Sequence, residues 1–312
     1  MGVIVIVFLD NVDGLYGQYW KSRTTPETSL HPAKFSKGLI YHILQAGKDK
    51  GYWKPGQICL DCFGGVGLGG IAAADLDLQW VGIEIEQRFV DIGRANFEKN
   101  KDLWLSKPKP VLIHGDSRDA RRLIGNADFV VTSPPYINVI GSKATGDEAR
   151  ERQRKRFLAG KFKTSRPDVL FSQKNLGAQA MYSNTYGKTD GQIGTLREGD
   201  IDEVLADLDG AVKVGDTYWA ATARVYKECY DTLLPGTMMA LVTKDFVRKG
   251  QIVQLGDTTI RLLTEIGFKL EGITYASLTT KNGKKYISQW KRLAEAKGSP
   301  KIDFENVIWV RR

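Results

Sequence analysis

Apolar positions along the chain alternate between short continuous runs and one-sided stripes. The run Val3-Ile4-Val5-Ile6-Val7-Phe8-Leu9 ends at Asp10 and predicts a buried strand or a packing arm; it is too short to span a bilayer. Residues 11–30, rich in Gly, Tyr, Thr and Ser, show neither period and read as an irregular arm. Phe35, Leu39, Ile40, Ile43 and Leu44 then mark one face of an amphipathic helix. Ile58 to Phe63 predicts a strand, and five glycines between Gly64 and Gly70 turn it into a helix spanning Ile71 to Asp75. Further strands are expected at Trp80–Ile85, Val111–Asp116 and 128–132. After a break, a helix from about Tyr218 to Leu233 stops at Pro235-Gly236, Thr237–Thr243 is a strand, and Ile252–Ile266 contains a helix. Phe268–Leu278 and Asn306–Val310 complete the series as an antiparallel pair at the sheet edge. Alternation of this kind predicts an α/β fold, a doubly wound, mostly parallel sheet of seven strands, with ligands beyond the carboxyl ends of the strands.

The fourth of these strands ends in Ser133-Pro134-Pro135-Tyr136. A residue before proline is held extended, and neither proline has an N–H, so the Pro134 carbonyl is presented to an outside donor. With the Ser133 hydroxyl and the Tyr136 ring, this strand end suits a planar molecule carrying an exocyclic NH2: two acceptors for the amine and one face for the ring. The blander reading is a strand end and a tight turn.

The glycine turn lets a backbone approach a ligand, with helix N–H groups aimed at its polar end. Glu84 follows Asp61 by 23 positions, near the spacing of about 20 at which an acid takes the ribose hydroxyls of an adenosine cofactor. Asp116, closing the third strand, is placed to accept from an adenine amine.

Charge adds a polyanionic partner to this picture. Lys and Arg outnumber Asp and Glu by 45 to 36. Nine basic residues between Lys143 and Arg166, among them Arg152, Arg154, Lys155 and Arg156, face three acids. Lys284 and Lys285 belong to a second basic stretch before the last strand. The alternative for both is a solvated surface. Tyr182 and Tyr186, among glycines, suggest a loop that meets bases. The chain divides accordingly into residues 1–139 (arm, cofactor and catalytic motifs), 140–215 (a basic insertion, candidate target-recognition region) and 216–312 (remainder of the catalytic domain). Cys59, Cys62 and Cys229 lack metal-site partners, so no metal is expected, and a cytoplasmic setting is.

Taken in order, His31-Pro-Ala-Lys-Phe35, Asp61-Cys-Phe-Gly-Gly-Val-Gly67, Glu84, Asp116 and Ser133-Pro-Pro-Tyr136 resemble the S-adenosylmethionine-dependent DNA amino-methyltransferases. The resemblance runs from about residue 31 to 136, with a weaker echo in the closing strands. It implies a class I methyltransferase, Rossmann-like fold that moves a methyl group from S-adenosylmethionine to an amine of a base flipped out of double-stranded DNA. It implies Lys34, Phe35, Asp61, Phe63, Gly65 and Gly67 around the methionine end, Glu84 at the ribose and Asp116 at the adenine. Serine at the head of the tetrapeptide favours cytosine N4 over adenine N6. Such enzymes occur in bacterial, archaeal and phage-encoded restriction-modification settings. Cys62 stands where the family has proline and Leu68 where it has a small hydroxyl residue. No Pro-Cys pair occurs, which argues against attack on a ring carbon through cysteine. Two other readings remain: an inactive methyltransferase-like DNA-binding module, and an enzyme acting on RNA or protein amines.

Overall fold

The computed structural model describes residues 5–9, 23–31, 36–137, 187, 189–248, 250–277, 281–282, 284–285, 298, 300–302 and 304–312. Its main-sheet strands are β1 (Val5–Leu9), β2 (Ile58–Asp61), β3 (Gln79–Glu84), β4 (Val111–His114), β5 (Phe129–Thr132), β6 (Met238–Thr243), β9 (Lys269–Ser277) and β12 (Phe304–Arg311). Two short hairpins, β7–β8 (Phe246–Arg248, Gln251–Val253) and β10–β11 (Lys281–Asn282, Lys284–Lys285), stand apart. The seven strands expected from the sequence form the doubly wound, mostly parallel sheet, and Val5–Leu9 adds an eighth. Their order is β1-β9-β12-β6-β5-β2-β3-β4. Only β12 runs against its neighbours, β9 and β6. The β9–β12 pair would close the sheet at that side, but β1 pairs parallel with β9 and covers its edge, Val5 opposite Gly272 and Leu9 opposite Ala276.

Central strands are buried on both faces, which explains why they read as continuous apolar runs. Every residue of β5 and of β6 is buried. Successive side chains then go to opposite layers. Phe129, Val131, Ala240, Val242 and Trp309 pack under α1 (Lys37–Asp49), α2 (Leu68–Asp75) and α3 (Gln87–Lys99). Val130, Met239, Leu241, Ile308 and Val310 pack under the helices of the other face. Those are α4 (Ala120–Ile124), α5 (Ile201–Ala206), α6 (Leu208–Val214), α7 (Tyr218–Thr232) and α8 (Leu255–Ile266). In the first layer Trp53 stacks on Phe129 at 4.2 Å and donates its indole N–H to the Leu44 carbonyl at 2.8 Å. Truncating Phe129 to alanine is worth about 3–5 kcal/mol.

Local signals set most boundaries. The Thr217 hydroxyl accepts from Ala220 N to start α7, and Asp200 and Asp207 cap α5 and α6 in the same way. Helix α2 begins at Leu68, inside the glycine turn and ahead of the expected Ile71, because left-handed Gly67 (φ 73°) serves as its N-cap. The stretch from Ile252 is hairpin before it is helix. Residues 193–214 contribute Ile193 and Val204 to the second layer. Among the described residues no helix is long and apolar enough to cross a membrane.

From β2 the chain passes to β3 on one side, while β5 leads to β6 on the other. A crevice therefore opens at the carboxyl ends of β2 and β5, the switch point of the sheet.

Candidate active site

A cavity of about 190 Å³ fills that crevice. It is lined by Asp61, Phe63, Gly65, Glu84, Asp116, Ser133, Pro134, Pro135 and Tyr136, all named from the sequence, and by His31, Gln192 and Lys244. Gly67 stands behind this surface. A Cβ there would come within 2.7 Å of the Phe97 ring, so its role is close packing of the turn on α3.

One wall is made by the ends of β2, β3 and β4. Glu84 is buried, and its two oxygens accept from Gly65 N at 2.9 Å and Glu86 N at 2.8 Å. Burial pushes its pKa up to about 7, with those N–H bonds pulling the other way. Asp61 Oδ1 accepts from the Thr132 hydroxyl at 2.7 Å and Phe63 N at 3.1 Å, which ties β5 to the glycine turn. Burial raises its pKa to about 6. The Asp116 carboxylate is clasped by Arg118: both oxygens accept from Nε, at 3.0 and 2.9 Å, and Oδ2 also accepts from Nη2 at 2.5 Å. That pairing holds the Arg118 guanidinium above its ordinary pKa. Ser117 donates to the Cys62 carbonyl and fixes this corner to β2.

An arm is drawn onto the same wall by Asn96, fully buried on α3. Its carbonyl oxygen accepts from Thr25 N at 2.8 Å and the Thr28 hydroxyl at 3.0 Å, while its amide donates to the Val66 carbonyl at 2.9 Å. Residues 23–31 are thereby joined to the glycine turn, and His31 packs on Phe89 with ring centroids 4.4 Å apart.

The facing wall is the end of β5 and β6. The Ser133 hydroxyl donates to the Val242 carbonyl at 3.1 Å. Tyr218, buried on α7, donates to the Pro135 carbonyl at 2.9 Å and so pins the second proline. Tyr136 is half-buried against the second layer, and Lys244 follows β6 at the cavity.

Lys34, Phe35, Arg152, Arg154, Lys155, Arg156, Tyr182 and Tyr186 lie outside the described residues. Lys284 and Lys285 form the two-residue strand β11, whose backbone pairs with β10. Cys62 Sγ faces Cys229 Sγ at 3.2 Å, both free thiols, and not Cys59. Among the described residues no group of three His, Cys, Asp or Glu is placed to hold a metal ion. Sequence reasoning missed Asn96, Tyr218, Gln192 and Lys244. None lies in a recognisable motif, and only the polar interruption of an apolar helix face at Asn96 left a trace.

A DNA methylase family model matches residues 10–95. No curated protein sequence matches the chain. Solved structures similar to it include TrmN from Thermus thermophilus, at 13% identity and a TM-score of 0.45, covering 93% of this chain and 53% of that one. The chain thus spans about half the length of TrmN. Another is the SAM-dependent methyltransferase from Agrobacterium tumefaciens, at 11% identity and 0.43, covering 89% and 63%. A third is magnesium protoporphyrin IX methyltransferase from Synechocystis PCC 6803 with bound SAH, at 10% identity and 0.42, covering 88% and 82%.

Proposed function

We propose that this chain is an S-adenosylmethionine-dependent methyltransferase acting on the exocyclic amine of a base in double-stranded DNA, with cytosine N4 as the preferred target. The observation that carries the reading is a pair of buried carboxylates, Asp61 and Glu84, facing the same cavity as the Ser133–Tyr136 strand end. Burial raises both pKa values, and among the described residues neither carboxylate forms an ion pair. A ligand bringing a positive charge and hydroxyl donors relieves that cost. S-adenosylmethionine brings an ammonium, a sulfonium and two ribose hydroxyls, so the donor set fits it. The DNA methylase match over residues 10–95 supports the substrate, as does the net charge of +9.

When bound, S-adenosylmethionine supplies a methyl group already activated on sulfur. The chain supplies positioning. Glu84 accepts from the ribose hydroxyls, the glycine turn and Asp61 hold the methionine end, and the Asp116–Arg118 pair borders the adenine. Tyr136 stacks on a base swung out of the duplex, offsetting an unstacking cost of a few kcal/mol. The Ser133 hydroxyl donates to the Val242 carbonyl, which leaves its oxygen to accept from the amine. The Pro134 carbonyl takes the other amine hydrogen. With both hydrogens held, the nitrogen lone pair would be left to form the new bond to carbon while sulfur keeps the electrons of the old one, and the methylated amine would then release one hydrogen to water as a proton. Alignment would supply most of the rate, and no strong base is needed.

The test is incubation with unmethylated duplex DNA and isotope-labelled S-adenosylmethionine, followed by digestion to nucleosides and mass analysis. Label on N4-methylcytosine is expected. Label on N6-methyladenine keeps the mechanism and corrects the base. Cofactor binding without labelled DNA transfers the reading to RNA or protein amines, and absence of cofactor binding leaves a DNA-binding module.

A further inference from the structure

Gly187 and residues 189–193 settle against the β2–β4 wall through contacts that the proposed chemistry does not use. Glu86 is the N-cap of α3, yet its side chain does not cap that helix. Its buried carboxylate instead accepts from Thr189 N at 3.0 Å and from the Gln192 amide at 3.5 Å, more than 100 residues on. Gly187, at φ 141°, lies so close that a Cβ there would fall 1.8 Å from the Glu86 carboxyl carbon. Gly191 fits against Arg118 in the same manner, and the Asp190 charge acts on that guanidinium. Gln192 and Ile193 then line the cavity. A continuous path results. Glu84 accepts from Gly65 N and from Glu86 N, and Glu86 holds Thr189 N.

We infer that Glu86 is a positioning residue for the DNA substrate: it seats Gly187 and residues 189–193 on the cofactor wall and so brings Gln192 and Ile193 to the cavity that the target base is proposed to enter. The inference rests on the proposed methyltransferase activity. Ribose hydroxyls arriving at Glu84 contact the carboxylate that orients Glu86 N, so cofactor and DNA affinities are coupled through this pair. Coupling of this kind is reciprocal and typically about 5–150-fold.

The experiment compares wild type, Glu86→Ala, Glu86→Gln and Gly187→Ala. Affinity for S-adenosylhomocysteine is read by calorimetry with and without unmethylated duplex DNA, and KM and kcat are read for that DNA. Glu86→Ala is expected to raise KM for DNA about tenfold, to lower S-adenosylhomocysteine affinity of the free protein by clearly less than that, and to bring the coupling factor near 1. Glu86→Gln keeps an oxygen for Thr189 N and recovers most of the loss. Gly187→Ala disturbs the same contact from the opposite side and is expected to reproduce the KM effect; it decides the matter if Glu86→Ala does not fold. Loss of S-adenosylhomocysteine affinity equal to the loss of DNA affinity, or unchanged KM for DNA in a folded variant, overturns the inference. Failure of the wild-type protein to bind S-adenosylhomocysteine or to label DNA defeats the underlying reading instead.

Discussion

On the β2–β4 side of the cavity each acid is already engaged by its own chain: Glu84 by two backbone N–H groups, Asp61 by a hydroxyl and an N–H, Asp116 by a guanidinium. On the β5–β6 side the polar groups are held from behind, Ser133 through its proton and Pro135 through its carbonyl, and Ser133, Tyr136 and Lys244 line the cavity. The first wall is rigid and charged, suited to a ligand with fixed hydroxyls and positive charge. The second offers neutral acceptors and an aromatic ring beside Lys244, suited to a guest that arrives from outside and leaves modified. The difference shows how one crevice separates binding from alignment, with Thr132 to Asp61 as the hydrogen bond joining the halves.

If the walls divide the work in this way, the largest effect belongs to Tyr136→Ala. Loss of the stacking face leaves the target base misplaced, and turnover on DNA is expected to fall about 100-fold, the scale on which small misplacements of reacting groups act. Calorimetric affinity for S-adenosylhomocysteine should not change. A parallel fall in both would break the separation.

Glu84→Ala reverses the pattern. A hydrogen bond to a charged group contributes about 1.5–3 kcal/mol, so affinity for S-adenosylhomocysteine should drop roughly 10–100-fold while turnover at saturating cofactor is largely kept. Turnover lost at saturation would place Glu84 in the alignment step.

The same residue sharpens the comparison through pH. Folding raises the Glu84 pKa from the ordinary 4.5 to about 7, so between those values the folded chain holds a proton that the unfolded chain has released. Stability of the cofactor-free protein therefore declines as pH rises from about 4.5 to 7, by up to roughly 3 kcal/mol from this group. Asp61, raised from 3.8 to about 6, acts in the same direction over its own window. Glu84→Gln removes the first contribution. Thermal melts across this range should show a flatter slope for the variant, and an identical slope would mean that Glu84 is not the buried titrating group.

Much of this arrangement was legible beforehand because it depends on short-range rules. The apolar runs of β5 and β6, the glycines after β2 and the acid 23 residues later each carry their reason within a few positions. What escaped depends on contacts between distant segments. Asn96 reads as one polar residue on a helix, and only the fold brings Thr25, Thr28 and Val66 to it. Arg118 stands two positions from Asp116, but periodicity cannot say whether that guanidinium turns back to clasp the carboxylate or outward to solvent. The β1 run was equally ambiguous, since a packing arm and an edge strand share one apolar signature.

The smallest effect, and the one that probes the β5–β6 wall most directly, belongs to Ser133→Ala. The hydroxyl has two roles: its proton links the end of β5 to the Val242 carbonyl, and its oxygen is the proposed acceptor for the amine. A neutral hydrogen bond contributes about 0.5–1.5 kcal/mol, so the variant should lose about 1 kcal/mol of stability and up to roughly tenfold in kcat. The loss is bounded because the Pro134 carbonyl remains to hold one amine hydrogen, while Tyr136 still fixes the plane of the base. Cofactor affinity should stay put, since no cofactor contact is assigned to this hydroxyl. Single-turnover rates on DNA, measured beside calorimetric affinity for S-adenosylhomocysteine, separate the cases. An unchanged rate would mean that one acceptor suffices to turn the nitrogen lone pair. A loss as large as that of Tyr136→Ala would mean that the serine oxygen, and not the ring, fixes the geometry of transfer.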